Sequence, residues 1–338
     1  MDKSIDHTFI IAEVGVNHNG DMSKAIKLID AAIDAGADAI KFQAAIPELV
    51  ATAFAKKAEY QKKLTNKNET QLDMIKQIHL PLESYQKLQN IASKKGIKFF
   101  VTSFDMASLK YIESLNPPMH KVPSGEITNM PYLRTIASYK RSTILSTGMS
   151  TIDEIASALE IFDESGFNRD ELVILHCNTE YPSPMIDINL RAMKTIGTKF
   201  GTKIGYSDHT DGIEVSIAAV ALGASVIEKH ITLDRNLEGP DHKASIEPHQ
   251  FKQMVDSIRN IEKALGTDKK VVSTSEKKNR DIARRSIVAS RSIQKGEPFS
   301  EENIIPKRPG NGISPMLWDE IIGKIAPRSF EHDEQIEL

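Results

Sequence analysis

His209 and His230 are the residues of this chain best placed to do chemistry together. His209 follows the apolar run 203–206, and His230 follows a second apolar run, 225–228. The segment 213–222 between them has the length and apolar character of a helix. A strand, a helix and a second strand predict a βαβ unit. That unit would place both imidazoles at the carboxyl edge of a parallel sheet, where ligands bind.

The spacing of these two histidines predicts a site for one divalent metal ion. Neighbouring parallel strands lie about 5 Å apart, so imidazoles at matching strand ends can bind the same ion. The sequence adds three carboxylates close by, Asp208, Glu228 and Asp241. Two imidazoles with open positions suit a catalytic metal better than a closed structural zinc site. The alternative is that one or both histidines are hydrogen-bonded packing residues.

Composition and charge exclude several classes of protein. The 338 residues are 40% hydrophobic and 26% charged, as in ordinary globular proteins. With 43 basic and 46 acidic residues the net charge is -3, so neither a nucleic-acid footprint nor a polybasic membrane surface is expected. No apolar run is long enough to span a membrane, and the first seven residues do not resemble a signal peptide. The single cysteine, Cys177, permits no internal disulfide and predicts a cytoplasmic protein.

Eight short apolar runs alternate with helical patterns along residues 8–265. The runs are 8–13, 38–43, 97–102, 119–122, 142–146, 172–177, 203–206 and 225–228. This alternation predicts an α/β fold, a (β/α)₈ TIM barrel over residues 1–265. A doubly wound open sheet is the alternative, because periodicity alone cannot show closure. Residues 44–80 form an oversized connection, which is typical of lids or extra helices.

The character of the sequence changes after residue 265. Residues 266–280 are polar and rich in lysine, and predict a linker. Residues 281–338 are rich in turns and short apolar runs, and predict a small β-rich domain. Such a domain would be marginally stable alone, so we expect it to dock on the barrel or on a second copy of it.

Polar side chains stand at most of the predicted strand ends. They are Glu13, Lys41, Gln43, Thr102, Lys121, Ser124, Glu126, Ser146, Thr147 and the run 176–181. Two lysines with several hydroxyls suit a phosphate or carboxylate ligand, because they supply charge-assisted donors. The alternative for a lysine is an internal salt bridge, for example Lys121 with Glu126, and for a single hydroxyl it is capping of a strand end.

Nine ordered motifs resemble the sialic acid synthase family, which condenses phosphoenolpyruvate with an N-acylated mannosamine-type sugar. The motifs are IIAEVGVNHNG at 10–20, IKFQ at 40–43, KVPSGEITNMPYL at 121–133, ILSTGM at 144–149, LHCNTEYPSP at 175–184, GYSDHT at 205–210, IEKHITLD at 227–234, GPDHKAS at 239–245 and KRPGNG at 307–312. The resemblance implies a (β/α)₈ barrel followed by a domain similar to type III antifreeze proteins, the SAF or β-clip domain.

The resemblance also implies roles for individual residues. His209 and His230 would hold the metal, with Mn²⁺ expected and Mg²⁺ or Co²⁺ as alternatives. The residues expected to bind phosphoenolpyruvate are Lys41, Thr102, Lys121, Ser124, Ser146 and Tyr181. Those expected to contact the acceptor sugar are Glu13, which is also a candidate catalytic group, Gln43, Tyr181 and Asp241. Glu126 would be an acid or base, and Arg308 of the small domain would reach the barrel of the partner in a homodimer.

Two departures from the family pattern bear on the choice of acceptor. Asn178 and Thr179 stand in the reverse of the order usual after the His-Cys pair, and Arg284 and Arg285 stand where some relatives place an aromatic residue. Overall motif agreement puts an N-acetylneuraminate synthase first, an N,N'-diacetyllegionaminate synthase second and a pseudaminate synthase third. Two other classes stay open, a Schiff-base sugar aldolase that uses a strand-end lysine and a binding protein with an inert barrel.

Overall fold

The computed structural model describes residues 7–65 and 69–338. The chain divides into two compact units, Met1–Gly266 and Thr267–Leu338. Eight strands build the first unit: β1 Phe9–Gly15, β2 Ala39–Ala44, β3 Lys98–Ser103, β4 His120–Val122, β5 Thr143–Ser146, β6 Leu172–Cys177, β7 Lys203–Asp208 and β8 Val226–His230. Each observed strand overlaps one of the eight predicted apolar runs, because a buried parallel strand is apolar on both faces.

The order of the strands identifies the sheet as a barrel. Hydrogen bonds join the eight strands in the order β3-β2-β1-β8-β7-β6-β5-β4, and every pair is parallel. This is the chain order closed through β1 and β8, and β3 and β4 lie side by side at the seam. A doubly wound sheet would not pair its first strand with its last. The predicted (β/α)₈ barrel is therefore confirmed, and the open sheet is excluded.

Helices follow the strands around the outside of this sheet. They are α1 Met22–Asp34, α2 Pro47–Val50, α3 Glu59–Leu64, α4 Gln71–Ile78, α5 Glu83–Lys94, α6 Met106–Ser114, α7 Met130–Ser138, α8 Ile152–Glu164, α9 Arg191–Phe200, α10 Glu214–Ala221 and α11 Pro248–Leu265. Asp21 caps α1 by accepting hydrogen bonds from the backbone N–H groups of Ser23 and Lys24. Helices α2, α3 and α4 fill the oversized connection 44–80. In the part of the chain that the structure describes, none of the helices has the length and apolarity needed to cross a membrane.

The barrel interior is layered because side chains of a strand alternate between its two faces. One apolar layer is formed by Ile11, Ala39, Phe100, Ile144, Leu175 and Val226, which form one buried cluster. Gly205 stands in the same layer, where an added Cβ would lie 2.4 Å from the carbonyl oxygen of Val226 and 2.6 Å from Leu175. Two residues further along these strands, the inward positions are polar except for Cys177. The apolar layer therefore closes the barrel below a polar ring.

A buried ion pair joins the strands that carry the two histidines. Lys229 and Asp208 are both fully buried, and Nζ of the lysine lies 3.1 Å from Oδ2 of the aspartate. Lys229 also donates a hydrogen bond to the carbonyl of Thr210, and Ser216 donates to Asp208. Each partner immediately precedes a histidine in the chain, so the pair holds β7, β8 and the turn after His209 together.

The second unit has its own small core. An antiparallel pair, β9 Ser286–Ala289 and β10 Ile304–Lys307, packs with Ile293, Phe299 and Phe330. Helix α12 spans Thr274–Ala283 and α13 spans Trp318–Ile321. Helix α12 overlaps residues 266–280, which the sequence predicted to be a linker without regular structure. Ser273 and Glu276 form a capping box there, and such a cap can start a helix in a segment that lacks apolar periodicity.

Substituting Lys229→Met should destabilise the protein strongly. The change leaves the carboxylate of Asp208 buried without its cation, and breaking a buried pair in this way costs about 3–5 kcal/mol. Urea unfolding followed by circular dichroism measures the effect. Lys252→Met, which breaks the exposed pair with Asp256, is the matched control and should change little. Equal midpoints for the two variants would contradict the prediction, whereas restored stability in Lys229→Met/Asp208→Asn would support it.

Candidate active site

A cavity of about 500 Å³ lies at the carboxyl ends of the barrel strands. Its lining residues are Glu13, Lys41, Gln43, Ala58, Tyr60, Gln61, Gln71, Thr102, Phe104, Lys121, Pro123, Ser124, Gly125, Ser146, Met149, Cys177, Thr179, Glu180, Tyr181, Ser207, His209, Glu228 and His230. The set contains ten of the thirteen residues that the sequence analysis assigned to a site. Their convergence follows from the strand register, since Glu13 lies opposite both Lys41 and His230.

Two carboxylates and two lysines alternate at the base of this cavity. Nζ of Lys41 lies 2.9 Å from Oε2 of Glu13 and 3.6 Å from Oε2 of Glu228. The other oxygen of Glu228 lies 3.3 Å from Nζ of Lys121. Lys41 also donates a hydrogen bond of 2.9 Å to Thr102. We call Glu13, Lys41, Glu228 and Lys121 the charge cluster.

Burial and neighbouring charges together set the protonation of the charge cluster. Burial raises the pKa of Glu13, although Lys41 opposes this shift. Burial alone would lower the pKa of Lys41, but the carboxylates of Glu13 and Glu228 outweigh it and raise that pKa. Burial likewise opposes ionisation of Glu228, yet Lys121 and Lys41 lower its pKa to about 2. Burial lowers the pKa of Lys121. Lys41 and Glu228 are therefore the members whose charges are most firmly held.

The two histidines lie side by side, as the sequence predicted. Their ring centroids are 5.5 Å apart. Nδ1 of His209 lies 2.5 Å from the carbonyl oxygen of Asn178 and donates to it, which leaves Nε2 as an acceptor. The hydroxyl of Tyr181 lies 3.1 Å from that Nε2, and the two rings stack at 4.1 Å. Nδ1 of His230 is buried without a hydrogen-bond partner among the described residues.

This pair fits a divalent metal ion. Burial lowers the pKa of His209 to about 4 and lowers that of His230 well below its usual value, so both rings are neutral at pH 7 and can act as ligands. Over residues 7–65 and 69–338, no group of three His, Cys, Asp or Glu side chains forms a ligand set. A metal here would be held by the two imidazoles, with water or substrate in the other positions.

Hydroxyl groups line the opposite side of the cavity. Ser124 accepts a hydrogen bond of 2.9 Å from the backbone N–H of Gly148, and its Oγ lies 3.3 Å from Sγ of Cys177. Oγ of Ser146 is buried and has no hydrogen-bond partner in the described part of the chain. Ser207 donates to Glu228 at 2.9 Å. Ser124 and Ser146 therefore line the cavity with hydroxyls that a ligand could engage.

Asp241 stands behind the aromatic wall formed by Tyr60 and Tyr181. These two rings stack at 5.2 Å, and a smaller cavity beside the first is lined by both tyrosines, Gln43 and Asp241. The side chain of Gln43 donates to Glu13 at 2.9 Å and so links the two cavities. Burial, assisted by repulsion from Glu13, raises the pKa of Asp241 to about 7. This carboxyl can therefore gain or lose a proton near neutral pH.

The structure places Glu126 outside the two cavities and Arg308 in the second unit. Glu126 does not line either cavity, and its carboxylate accepts a hydrogen bond of 2.6 Å from the side chain of Asn129. The salt bridge considered between Glu126 and Lys121 is wrong, because the partner of this lysine is Glu228. Arg308 belongs to the second unit, where its side chain donates to the carbonyl of Ala283.

The exchanged pair Asn178 and Thr179 also has a structural explanation. The side-chain oxygen of Asn178 accepts from the backbone N–H of Glu180 at 2.8 Å and from Ser183 at 3.3 Å. The asparagine therefore stabilises its own turn, and its backbone carbonyl fixes His209. Thr179 lines the cavity instead.

The sequence places Glu228 near the histidine pair but does not predict that it pairs with the lysines, and it does not predict Ser207 or Tyr60 in the site. The signal for the first two was period-two alternation: Glu228 lies two residues before His230, and Ser207 lies two residues before His209, on the same strand faces. Tyr60 carries no such signal. It reaches the cavity through α3, and only the path of the connection 44–80 determines where that helix lies.

Asp241→Asn should change how stability depends on pH. In the unfolded chain an aspartate loses its proton near pH 4, whereas folded Asp241 keeps it until about pH 7. The stability that the protonated group contributes is thus fully present below pH 4, falls as pH rises from 4 to 7 and is then constant. We expect the variant to lose less stability than the wild type in that window. Asp256→Asn, on the exposed face of α11, is the control for loss of one carboxylate.

Urea midpoints at pH 4 to 8, measured with a chelator present, test this expectation. Parallel curves for Asp241→Asn and the wild type would contradict it.

Two family models match this chain. Residues 28–270 match the NeuB family, and residues 284–337 match the SAF domain. The N,N'-diacetyllegionaminic acid synthase of Campylobacter jejuni is 49% identical over 329 residues, which cover 97% of this chain and 98% of that protein. The enzyme of the same name from Legionella pneumophila is 44% identical over 317 residues, 93% of this chain and 89% of that protein.

A solved structure supports the same assignment. The crystal structure of N-acetylneuraminic acid (sialic acid) synthetase from Leptospira borgpetersenii has a TM-score of 0.71 and 35% identity, and the match covers 81% of this chain and 90% of that chain. The resemblance found in nine sequence motifs is therefore confirmed by family, relatives and fold together. The chain belongs to the NeuB family and carries an SAF domain in its second unit.

Proposed function

We propose that this protein is an N,N'-diacetyllegionaminate synthase, which condenses phosphoenolpyruvate with 2,4-diacetamido-2,4,6-trideoxymannose and releases phosphate. The observation that carries the proposal is the meeting of two neutral imidazoles with a buried pair of lysines in one cavity. Such a cavity can hold an anionic substrate beside a metal-binding position. Burying these charges costs free energy, which a barrel without a ligand-binding role would not need to spend.

Lys41 and Lys121 are the groups proposed to bind phosphoenolpyruvate. Both are buried at the base of the cavity, and each already faces a carboxylate of the charge cluster. A ligand with a carboxylate and a phosphate can accept charge-assisted hydrogen bonds from them. Ser146, whose Oγ lacks a partner among the described residues, and Ser124 would add neutral donors. Together these side chains would fix the enol carbon, C3, in the direction of the acceptor.

His209 and His230 are proposed to hold a divalent ion, with Mn²⁺ first and Mg²⁺ or Co²⁺ as alternatives. When bound, the ion supplies Lewis acidity for polarising the aldehyde oxygen of the open-chain sugar. The carbonyl of Asn178 orients the first imidazole through its Nδ1, as the outer contacts of metal ligands commonly do.

The reaction makes a C–C bond from C3 of phosphoenolpyruvate to the aldehyde carbon and leaves cationic character at C2. Water adds at C2, and the resulting intermediate collapses: its C2 hydroxyl becomes a carbonyl, the C2–O bond to phosphate breaks, and the hydroxyl proton leaves with the phosphate. The aldehyde oxygen gains a proton and the attacking water loses one. Glu13, which lines the main cavity, is the proposed carrier of these protons, because burial raises the pKa of its carboxyl group. Glu126 lies outside the cavity, and we assign it no acid or base role.

The choice of acceptor reverses the order inferred from the motifs. Sequence analysis put N-acetylmannosamine first, on overall agreement and without a decisive residue. Two relatives named as N,N'-diacetyllegionaminic acid synthases are 49% and 44% identical to this chain, whereas the solved sialic acid synthetase is 35% identical. The higher identities favour the diacetamido sugar as the acceptor. A homodimer in which Arg308 enters the partner's barrel, and a cytoplasmic location, stay predictions.

A Schiff-base aldolase is the second candidate, and one observation favours it. Burial lowers the pKa of Lys121, and a lysine with a lowered pKa can attack a carbonyl. The carboxylate of Glu228, 3.3 Å away, opposes that role because it stabilises the protonated amine. Borohydride reduction in the presence of pyruvate distinguishes the two candidates. A covalent adduct on Lys121 would establish the imine mechanism and overturn the proposed condensation.

Phosphate release from phosphoenolpyruvate should require both a divalent ion and the diacetamido sugar. We expect kcat/KM with 2,4-diacetamido-2,4,6-trideoxymannose to exceed that with N-acetylmannosamine by roughly 10-fold or more, the range that pocket contacts can supply. Chelation should abolish the activity and Mn²⁺ should restore it. His209→Asn and His230→Asn should each weaken Mn²⁺ binding, measured by electron paramagnetic resonance. His249→Asn, on the exposed start of α11, is the control. Preference for N-acetylmannosamine would instead make the protein an N-acetylneuraminate synthase.

The fate of the bridging oxygen tests the proposed bond cleavage. Phosphoenolpyruvate labelled with ¹⁸O between C2 and phosphorus should transfer that label to the released phosphate, because the C–O bond breaks. Mass spectrometry of the phosphate and of the sugar acid measures the distribution. Label retained in the sugar acid would mean P–O cleavage and would rule out the addition of water at C2.

A further inference from the structure

The smaller cavity, with a volume of about 240 Å³, adjoins the main cavity. We call it the side pocket. Six residues line both it and the main cavity: Gln43, Tyr60, Gln61, Gln71, Phe104 and Tyr181. The side pocket is therefore a continuation of the active site and not a separate site. Most of its wall comes from the connection 44–80 and its three helices.

The wall that belongs only to the side pocket is largely apolar. It includes Val16, Val50, Met74, Ile75 and Ile78. Met74 and Ile75 are nearly fully buried and belong to one apolar cluster with Ala45. The carboxyl of Asp241 lies on the same pocket and supplies a polar group.

Aromatic rings connect this pocket to the histidine pair. Tyr60 stacks on Tyr181 at 5.2 Å, and Tyr181 stacks on His209 at 4.1 Å. Because both tyrosines line both cavities, a sugar whose aldehyde lies at the histidines can pass along the rings. Its far end would then enter the side pocket.

We propose that the side pocket binds the end of the acceptor sugar that carries C4, C5 and C6, and that its apolar wall selects a 4-acetamido, 6-deoxy sugar over one with free hydroxyls. The inference rests on the proposed function, because it specifies the acceptor of the same reaction. It assigns the selection of substrate to α4 and its neighbours, in a part of the chain where the sequence predicted only a lid or extra helices.

The chemistry of the two sugars supports this assignment. N-Acetylmannosamine has hydroxyls at C4 and C6, whereas the diacetamido sugar has an acetamido group and a methyl group there. A hydroxyl pressed against Met74 or Ile75 would lose its water without gaining a partner. The two methyl groups would instead bury apolar surface. Asp241 remains available for the amide of the acetamido group, which both donates and accepts hydrogen bonds.

The volume of the side pocket is sufficient for these groups. An acetamido group and a methyl group together have five non-hydrogen atoms. The share of liquid volume of one water molecule is about 30 Å³, so 240 Å³ leaves room for all five. The apolar wall and this size favour a deoxy, acylated sugar over the smaller and more polar hydroxymethyl end.

A substitution that keeps the size of a wall side chain but makes it polar tests the proposal. Met74→Gln has similar volume but places an amide in the apolar wall. The matched control is Leu72→Gln, on the same helix, because Leu72 is half-buried and lines neither cavity. Ile78→Thr, on the rim of the same wall, is a second variant should Met74→Gln fail to fold.

Three sugars separate the contributions of C4 and C6. They are 2,4-diacetamido-2,4,6-trideoxymannose, 2-acetamido-2,6-dideoxymannose and N-acetylmannosamine. We expect the ratio of kcat/KM for the first sugar to that for the third to fall roughly 10-fold or more in Met74→Gln. The KM for phosphoenolpyruvate and Mn²⁺ binding should stay unchanged. The ratio in Leu72→Gln should equal that of the wild type.

The outcomes distinguish failure of this inference from failure of the proposed function. An unchanged ratio in a folded Met74→Gln or Ile78→Thr variant that still condenses the sugars would overturn the side-pocket proposal and leave the synthase intact. Absence of phosphate release by the wild type with all three sugars would overturn the proposed function itself. If the ratio of kcat/KM values changes less in Leu72→Gln than in either pocket variant, the side pocket is supported as the basis of selection.

Discussion

The ion pair across the barrel, from Lys121 on β4 to Glu228 on β8, is the interaction on which the rest of the site depends. Its atoms lie 3.3 Å apart although the two residues are 107 positions apart in the chain. Both side chains are almost fully buried, and a charge buried in this way is stable only if it is paired. Glu228 also faces Lys41, which in turn faces Glu13. The charges of the cluster are therefore paired only when the barrel is closed.

This coupling gives the site a defined electrostatic state before any ligand binds. The two lysines keep Glu228 ionised, with its pKa lowered to about 2, and the carboxylates raise the pKa of Lys41. The imidazoles nearby are neutral, because burial lowers the pKa of both. A cationic Lys41 and two neutral imidazoles then line one cavity, and binding of an anion there would need little reorganisation. Preorganised charge of this kind is commonly the largest contribution to catalysis.

Along the strands, one layer of inward side chains closes the barrel and the next layer lines the cavity. The lower layer, with Ile11, Phe100 and Leu175, is apolar and closes the barrel. Gly205 completes that layer where a larger side chain would meet the backbone of β8. The next inward residues are polar and line the cavity. On the outer face of the sheet, the buried pair Asp208 and Lys229 joins the ends of β7 and β8 next to the two histidines.

The sequence by itself determined the eight strands, the alternation of helical segments with them and ten residues of the cavity wall. These follow from local patterns: the apolar runs of buried strands, the cap at Asp21, and polar residues at strand ends. It did not determine the partner of Lys121, the position of Glu126 or the side pocket built by α4. Those depend on barrel closure and on the path of the connection 44–80. Distances between distant parts of the chain decide them, and local pattern carries no information about such distances.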